Sequence, residues 1–128
     1  MTKNPVQQSR LIADHAERNT LIDSIMSIEV PTYRATTVQV SSVPDLATWV
    51  GTLRDATVEA FRFVSSKHDC AHVVAQGTVT KDCDVRVVAV VMGETGERLV
   101  SVLGLSEEWT PVDLDAVIAA LIPTPAAA

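Results

Sequence analysis

Apolar and polar positions along the chain alternate between helical and extended spacing. Between Val6 and Ile28, residues Leu11, Ile12, Ala16, Leu21, Ile22, Ile25 and Met26 recur at helical spacing, while Arg10, Asp14, Glu17, Arg18 and Asp23 fill the remaining circumference. The spacing predicts one amphipathic helix, docked more firmly through its second half where the apolar face is wider, and ended by Pro31. "RATTVQVSS" then sets Thr36, Val38 and Val40 against Thr37 and Gln39, the period-two pattern of a half-buried strand. In "SVPDLATWVGTLRD", Ser42 and Asp45 resemble a capping box with Pro44 in the first turn, and Leu46, Trp49, Val50 and Leu53 form one stripe. A short second helix is expected there.

From Thr57 to Leu105 the period becomes that of strands: "TVEAFRFV", "AHVVAQGTV", "DVRVVAVVM" and "RLVSVLGL". The breaks "SSKHDC", "TKDC" and "GETG" are short enough to make neighbours antiparallel, which predicts a meander. In "TPVDLDAVIAALI", Thr110 is placed as N-cap, Pro111 at the first helical position, and Trp109 and Leu114 as a hydrophobic staple. The order helix, strand, helix, four strands, helix predicts an α+β fold, a mostly antiparallel sheet of about five strands with three helices. The pattern leaves the position of the first strand in the sheet open, with either edge compatible.

Pairing the hairpins through their turns sets Phe63 near His72, Val73 near Val90 and Val90 near Leu99. One face then gathers Phe61, Phe63, Val74, Val85, Val87, Val91, Val100 and Val102; the other gathers Val58, Val64, Val73, Ala75, Val88, Val90, Met92, Leu99 and Leu103. Both faces are apolar, whereas a sheet wetted on one side alternates. Ala60, Ala71, Ala75 and Gly77 would let a helix approach the second face closely. The bulkier first face needs a cover, from the long first helix or from a second subunit. Since an exposed apolar sheet face is an association site and two-fold pairing is the commonest closed assembly, a homodimer is expected.

Length changes this picture little: 128 residues support one core, so 1–122 reads as a single domain and "PTPAAA" at 123–128 as a flexible tail. With 47% hydrophobic residues but only Tyr33, Trp49, Phe61, Phe63 and Trp109 as aromatics, the core should be aliphatic. Charge excludes more. A net charge of −6, with Lys3, Lys67 and Lys81 standing alone, argues against nucleic-acid and anionic membrane partners. The N-terminal stretch lacks the apolar run of a secretory signal, and no window reaches the roughly 18 apolar residues of a membrane span. A cytoplasmic location is expected, where the two cysteines stay reduced. Low Lys and Asn beside abundant Ala, Val, Thr, Asp and Arg point to a GC-rich genome.

Candidate chemistry concentrates in "HDCAHVVAQGTVTKDCD", where His68, Cys70 and His72 share one side of a strand in the manner of zinc ligands. The fourth ligand would be Cys83, but it lies at the other end of the strand, roughly 30 Å away at 3.3 Å per residue. Neither a shared zinc nor a disulfide is reachable, so no metal, cofactor or catalytic residue is assigned. Nor does the chain contain a nucleophile elbow, a glycine-rich phosphate loop or an HExxH motif. The leading reading is a small non-enzymatic interaction or accessory module that self-associates and meets another protein through Arg10, Asp14, Glu17 and Arg18 of the first helix. The alternative is a small-ligand-binding or enzymatic α+β domain with a pocket between helices and sheet. Trp49, Phe61, Arg62, Phe63 and His72 would line that pocket, with His72 as acid or base.

Overall fold

The computed structural model describes residues 4–30, 35–65, 67–80 and 83–121. Helix α1 (Pro5–Arg18) starts at Asn4, whose side chain accepts hydrogen bonds from the Val6 and Gln7 N–H groups at 2.9 and 3.2 Å. It stops at Arg18 instead of running to Ile28, because Thr20 adopts a left-handed φ of +59°. A 3-10 turn over Ile22–Ser24 and strand β1 (Ile25–Glu29) take the place of the second half. Ile22, Ile25, Ile28 and Val30 are β-branched and suit extended backbone, and spacing alone did not separate them from a helix. Far from being firmly docked, this half leaves Met26 63% exposed. Pro31 lies outside the described residues.

Strand β2 (Thr36–Val40) buries Thr36, Val38 and Val40 as its alternation predicts. Helix α2 (Val43–Val50) has Ser42 as its cap, the Ser42 hydroxyl oxygen accepting from the Asp45 N–H at 3.2 Å, and Leu46 and Trp49 face inward. Strands β3 (Arg54–Ser65), β4 (His68–Thr80) and β5 (Cys83–Val91) then form the antiparallel meander. The predicted fourth strand of that run is instead helix α3 (Gly93–Leu103). Gly96, Leu99, Val100 and Leu103 recur at helical spacing, and Gly104 ends the helix at φ +62°.

The last segment also differs. Thr110 and Pro111 pair with Ala60 and Glu59 as a two-residue strand β6, so Thr110 is not a helix cap. Helix α4 (Leu114–Leu121) begins after Asp113, whose carboxylate accepts from the Asp115 N–H at 3.1 Å. Trp109 turns to the far side of the sheet, against Phe61, and forms no staple with Leu114.

The fold is α+β, as expected, but with a mixed sheet of six strands in the order β1-β2-β5-β4-β3-β6 and four helices among the described residues. Strand β2 is not at an edge: it lies between β1 and β5, antiparallel to the first and parallel to the second. Residues 41–82 separate β2 from β5, long enough for the crossover that parallel pairing requires. No described helix is long and apolar enough to cross a membrane.

All four helices cover one face. Ile12 and Ala16 of α1, Leu46 and Trp49 of α2, Leu99 of α3 and Val117 of α4 join one buried cluster with Val38, Val73, Ala75, Val85, Val87 and Ala89. Ala60, Ala71 and Ala75 are buried on this side, and a methyl added at Gly77 would lie 2.9 Å from the Cβ of Leu53 in the turn after α2. The face assignments need one correction, however. Val73 pairs with Ala89, not Val90, and a one-residue slip exchanges every side chain of the strand. Val85, Val87 and Val91 therefore lie on the helix side, while Val88 and Val90 join Phe61, Phe63 and Val74 on the other. Helix α1 packs on the first of these sides, so it does not cover the bulky face.

Candidate functional site: the open face of the sheet

The face turned away from the helices carries Glu59, Phe61 and Phe63 from β3, Cys70, His72 and Val74 from β4, and Arg86, Val88 and Val90 from β5. Phe61 stands directly across from His72, with ring centroids 4.9 Å apart, and Phe63 lies 5.1 Å from the same imidazole. Pairing of β6 with β3 puts Trp109 beside Phe61 on this side, edge to face at 4.3 Å. The Arg86 guanidinium reaches towards Trp109, 5.8 Å from the ring centre. Since Arg86 is on β5 and Trp109 lies beyond β3, this contact spans β4. Val74 beneath it is only 3% exposed although no helix lies above.

Polar atoms in this cluster are incompletely satisfied. The His72 Nδ1 and the Arg86 Nε are buried without hydrogen-bond partners. Burial, and secondarily the positive charge of Arg86, hold the His72 pKa below that of an ordinary histidine. The imidazole is therefore a neutral, apolar-packed ring at neutral pH.

The residues predicted to line a pocket separate. Phe61, Phe63 and His72 come together on the open face. Trp49 is fully buried in the helix layer, and Arg62 points to the helix side, 3.9 Å from Glu107. A cleft of about 270 Å³ at the end of the sheet is lined instead by residues such as Arg54, Asp55, Thr57, Gln76 and Thr78. Arg10, Asp14, Glu17 and Arg18 are all exposed on α1. Sequence reasoning missed Trp109 and Arg86 as parts of the cluster. Their signal was the polar interruption of β5 by Arg86, and a tryptophan next to a short edge strand.

The cysteine and histidine cluster is dispersed. Cys70 is buried on the open face and Cys83 in the core on the opposite side, while His68 is exposed, 3.1 Å from Glu97. Among the described residues no three His, Cys, Asp or Glu side chains are grouped to hold a metal.

On the helix side, His15 anchors a buried polar chain. The Thr52 hydroxyl donates to the Trp49 carbonyl at 2.7 Å, so its oxygen accepts from the His15 Nε2–H at 2.8 Å. Burial, then the neighbouring Arg18 charge, lower the His15 pKa from 6.5. Folded His15 and His72 thus bind protons less readily than they do in the unfolded chain. Their contribution to stability is complete above about pH 6.5 and is lost as the pH falls through their lower folded values. Denaturant midpoints at pH 7.5 and 5.5 check this: His15→Gln should lose less stability on acidification than the parent, and equal losses would refute it. The comparison removes the opposing effect of diminishing net negative charge, which both proteins share.

Comparison with known proteins adds no relative: no family model, no curated protein and no solved structure matches this chain.

Proposed function

We propose that this chain is a small, non-enzymatic interaction module of the cytoplasm that works through the open face of its sheet, first by forming a homodimer. The observation that carries the reading is the asymmetry of the layers. Four helices pack on one face, while Phe61, Phe63, Val88, Val90 and Trp109 stay uncovered on the other. Tryptophan and arginine are the residues that most often dominate protein interfaces, and here Trp109, 46% exposed, stands beside Arg86. An apolar area of this kind on a monomer favours association. The exposed charges Arg10, Asp14, Glu17 and Arg18 lie on the helix layer, so a dimer formed through the sheet leaves them available to a second protein.

Light scattering at micromolar concentration tests the reading. The expected mass is twice 13.7 kDa, and a monomer would overturn self-association. Trp109→Ala should weaken dimerisation about 30-fold, the effect of losing an aromatic anchor. Its circular dichroism should be unchanged, because Trp109 lies outside the buried core.

A further inference from the structure

The cleft at the end of the sheet is shaped by an irregularity in β3. Arg54 pairs with Thr78 and Thr57 with Gln76, so Asp55 and Ala56 stand against the single residue Gly77 and form a bulge. Gly77 lets the incoming chain press onto β4: an added methyl would lie 2.9 Å from the Leu53 Cβ and 3.0 Å from the Arg54 carbonyl oxygen. The Thr78 hydroxyl donates to that same carbonyl at 3.5 Å, which fastens the bulge. Asp55 takes a left-handed φ of +53° there. Glycine suits that conformation best, and aspartate or asparagine tolerates it through hydrogen bonds from the side chain to nearby backbone. The Asp55 carboxylate makes no such bond among the described residues, so the bulge does not need its charge.

The carboxylate instead lines the cleft of about 270 Å³, together with Arg54, Thr57, Gln76 and, from the start of β5, Asp84. Asp84 has an interaction of its own. The side chains of Arg54, Asp55, Thr57 and Gln76 make no hydrogen bond or ion pair among the described residues, and the first two carry opposite charges without pairing to each other. Ala35 and the buried Val85 add a small apolar wall. Gln76 is four residues along β4 from His72, roughly 13 Å at 3.3 Å per residue, so the cleft is separate from the aromatic cluster.

We propose that this cleft binds a free α-amino acid with a small apolar side chain, Arg54 receiving its carboxylate and Asp55 its ammonium group. Charge decides the class. A lone anion would meet Arg54 but also Asp55, Asp84 and a chain of net charge −6, and a lone cation would be repelled by Arg54. A molecule carrying both charges a few bonds apart satisfies both side chains with charge-assisted hydrogen bonds. Thr57 and Gln76 supply further polar partners, and Ala35 and Val85 meet the side chain. The volume, below the roughly 300 to 1,000 Å³ of drug-sized sites, suits a ligand this small. The site is complete within one chain and does not rest on dimerisation.

Titration of nitrogen-15-labelled protein with L-alanine, followed through amide NMR shifts, tests the site. Saturable shifts centred on residues 54–57, 76–78 and 84–85 are expected, with a dissociation constant of about 1 mM or tighter. Propionate and ethylamine each keep one charge of alanine, and L-phenylalanine keeps both but is too large for the apolar wall. All three should bind at least about tenfold more weakly, as should L-alanine itself to Arg54→Gln and to Asp55→Asn. Asparagine accepts a positive φ as aspartate does, and both positions are exposed, so neither substitution disturbs the fold. Shifts at these residues that do not saturate by about 10 mM, equal binding of any of the three control molecules, or unchanged affinity in either variant would overturn the proposal.

Discussion

An alanine at Trp49 should destabilise the fold by about 3 to 5 kcal/mol, the cost of emptying a buried tryptophan site. Trp49 is fully buried and is the largest such side chain of the core. It stacks beside His15, with centroids 5.8 Å apart, and its indole N–H donates to the Ser24 hydroxyl oxygen at 3.0 Å. That hydroxyl in turn donates to the Leu21 carbonyl at 2.6 Å, and the Ser24 carbonyl accepts from the Ser41 N–H at 3.1 Å. One residue of α2 therefore ties the turn after α1 to the end of β2. Domains commonly have only 5 to 15 kcal/mol of total stability, roughly, so the alanine variant should unfold at a much lower denaturant concentration. Trp49→Phe keeps most of the volume but strands the Ser24 acceptor, and should cost about 1 to 2 kcal/mol. Equilibrium denaturation of both variants checks the order, and an alanine variant within 1 kcal/mol of the parent, roughly a cavity-free result, would refute the packing described.

Trp49 also shows why the pocket was harder to read than the elements around it. The stripe that placed Trp49 on α2 was a local pattern, and the Ser42 cap confirmed its start within the same few residues. Whether Trp49 shares a space with Phe61 depends on which side of β3 faces the helices. That is decided by pairings with β4 and β5, distant in sequence. For β3 and β4 the expected register was off by an even step, Phe63 instead of Phe61 opposite His72, so both strands kept their faces. For β4 and β5 the step was odd, and Val88 and Val90 changed sides.

Residues 21–30 and 93–111 were misread for a different reason. Apolar spacing in "LIDSIMSIEV" and "RLVSVLGL" fits both periods, and the arbiters were single backbone positions: Thr20 at φ +59° and Gly104 at φ +62°. Trp109 was assigned to a staple because Thr110 and Pro111 carry helix-start chemistry, yet the same two residues fit the end of a sheet, where a proline without an N–H is tolerated at an edge. The open face became visible only once α1 was placed on the helix side. Its apolar character was legible from the β3, β4 and β5 sequences, and its lack of a helical cover was not.

Gly96→Ala should destabilise the protein even though alanine is the better helix former by about 1 kcal/mol. Gly96 is buried where α3 crosses the ends of β4 and β5. An added methyl would press into the Val91 carbonyl oxygen, and would lie 2.9 Å from the Val91 carbonyl carbon and 3.5 Å from the Asp69 oxygen. These are backbone atoms of two central strands, so no rotamer change relieves the clash and α3 must lift from the sheet. Overpacking of this kind costs about 1 to 3 kcal/mol, and the loss of Leu99 and Val100 contacts as the helix lifts adds to it. Gly51→Ala is the matched control: Gly51 has φ −62° and its added methyl would meet only carbonyl oxygens at 3.6 and 3.9 Å. It should be neutral or stabilising by up to about 1 kcal/mol. Denaturation of the two variants side by side separates the causes. If both behave alike, helix propensity alone governs position 96 and the close approach of α3 to Val91 is wrong.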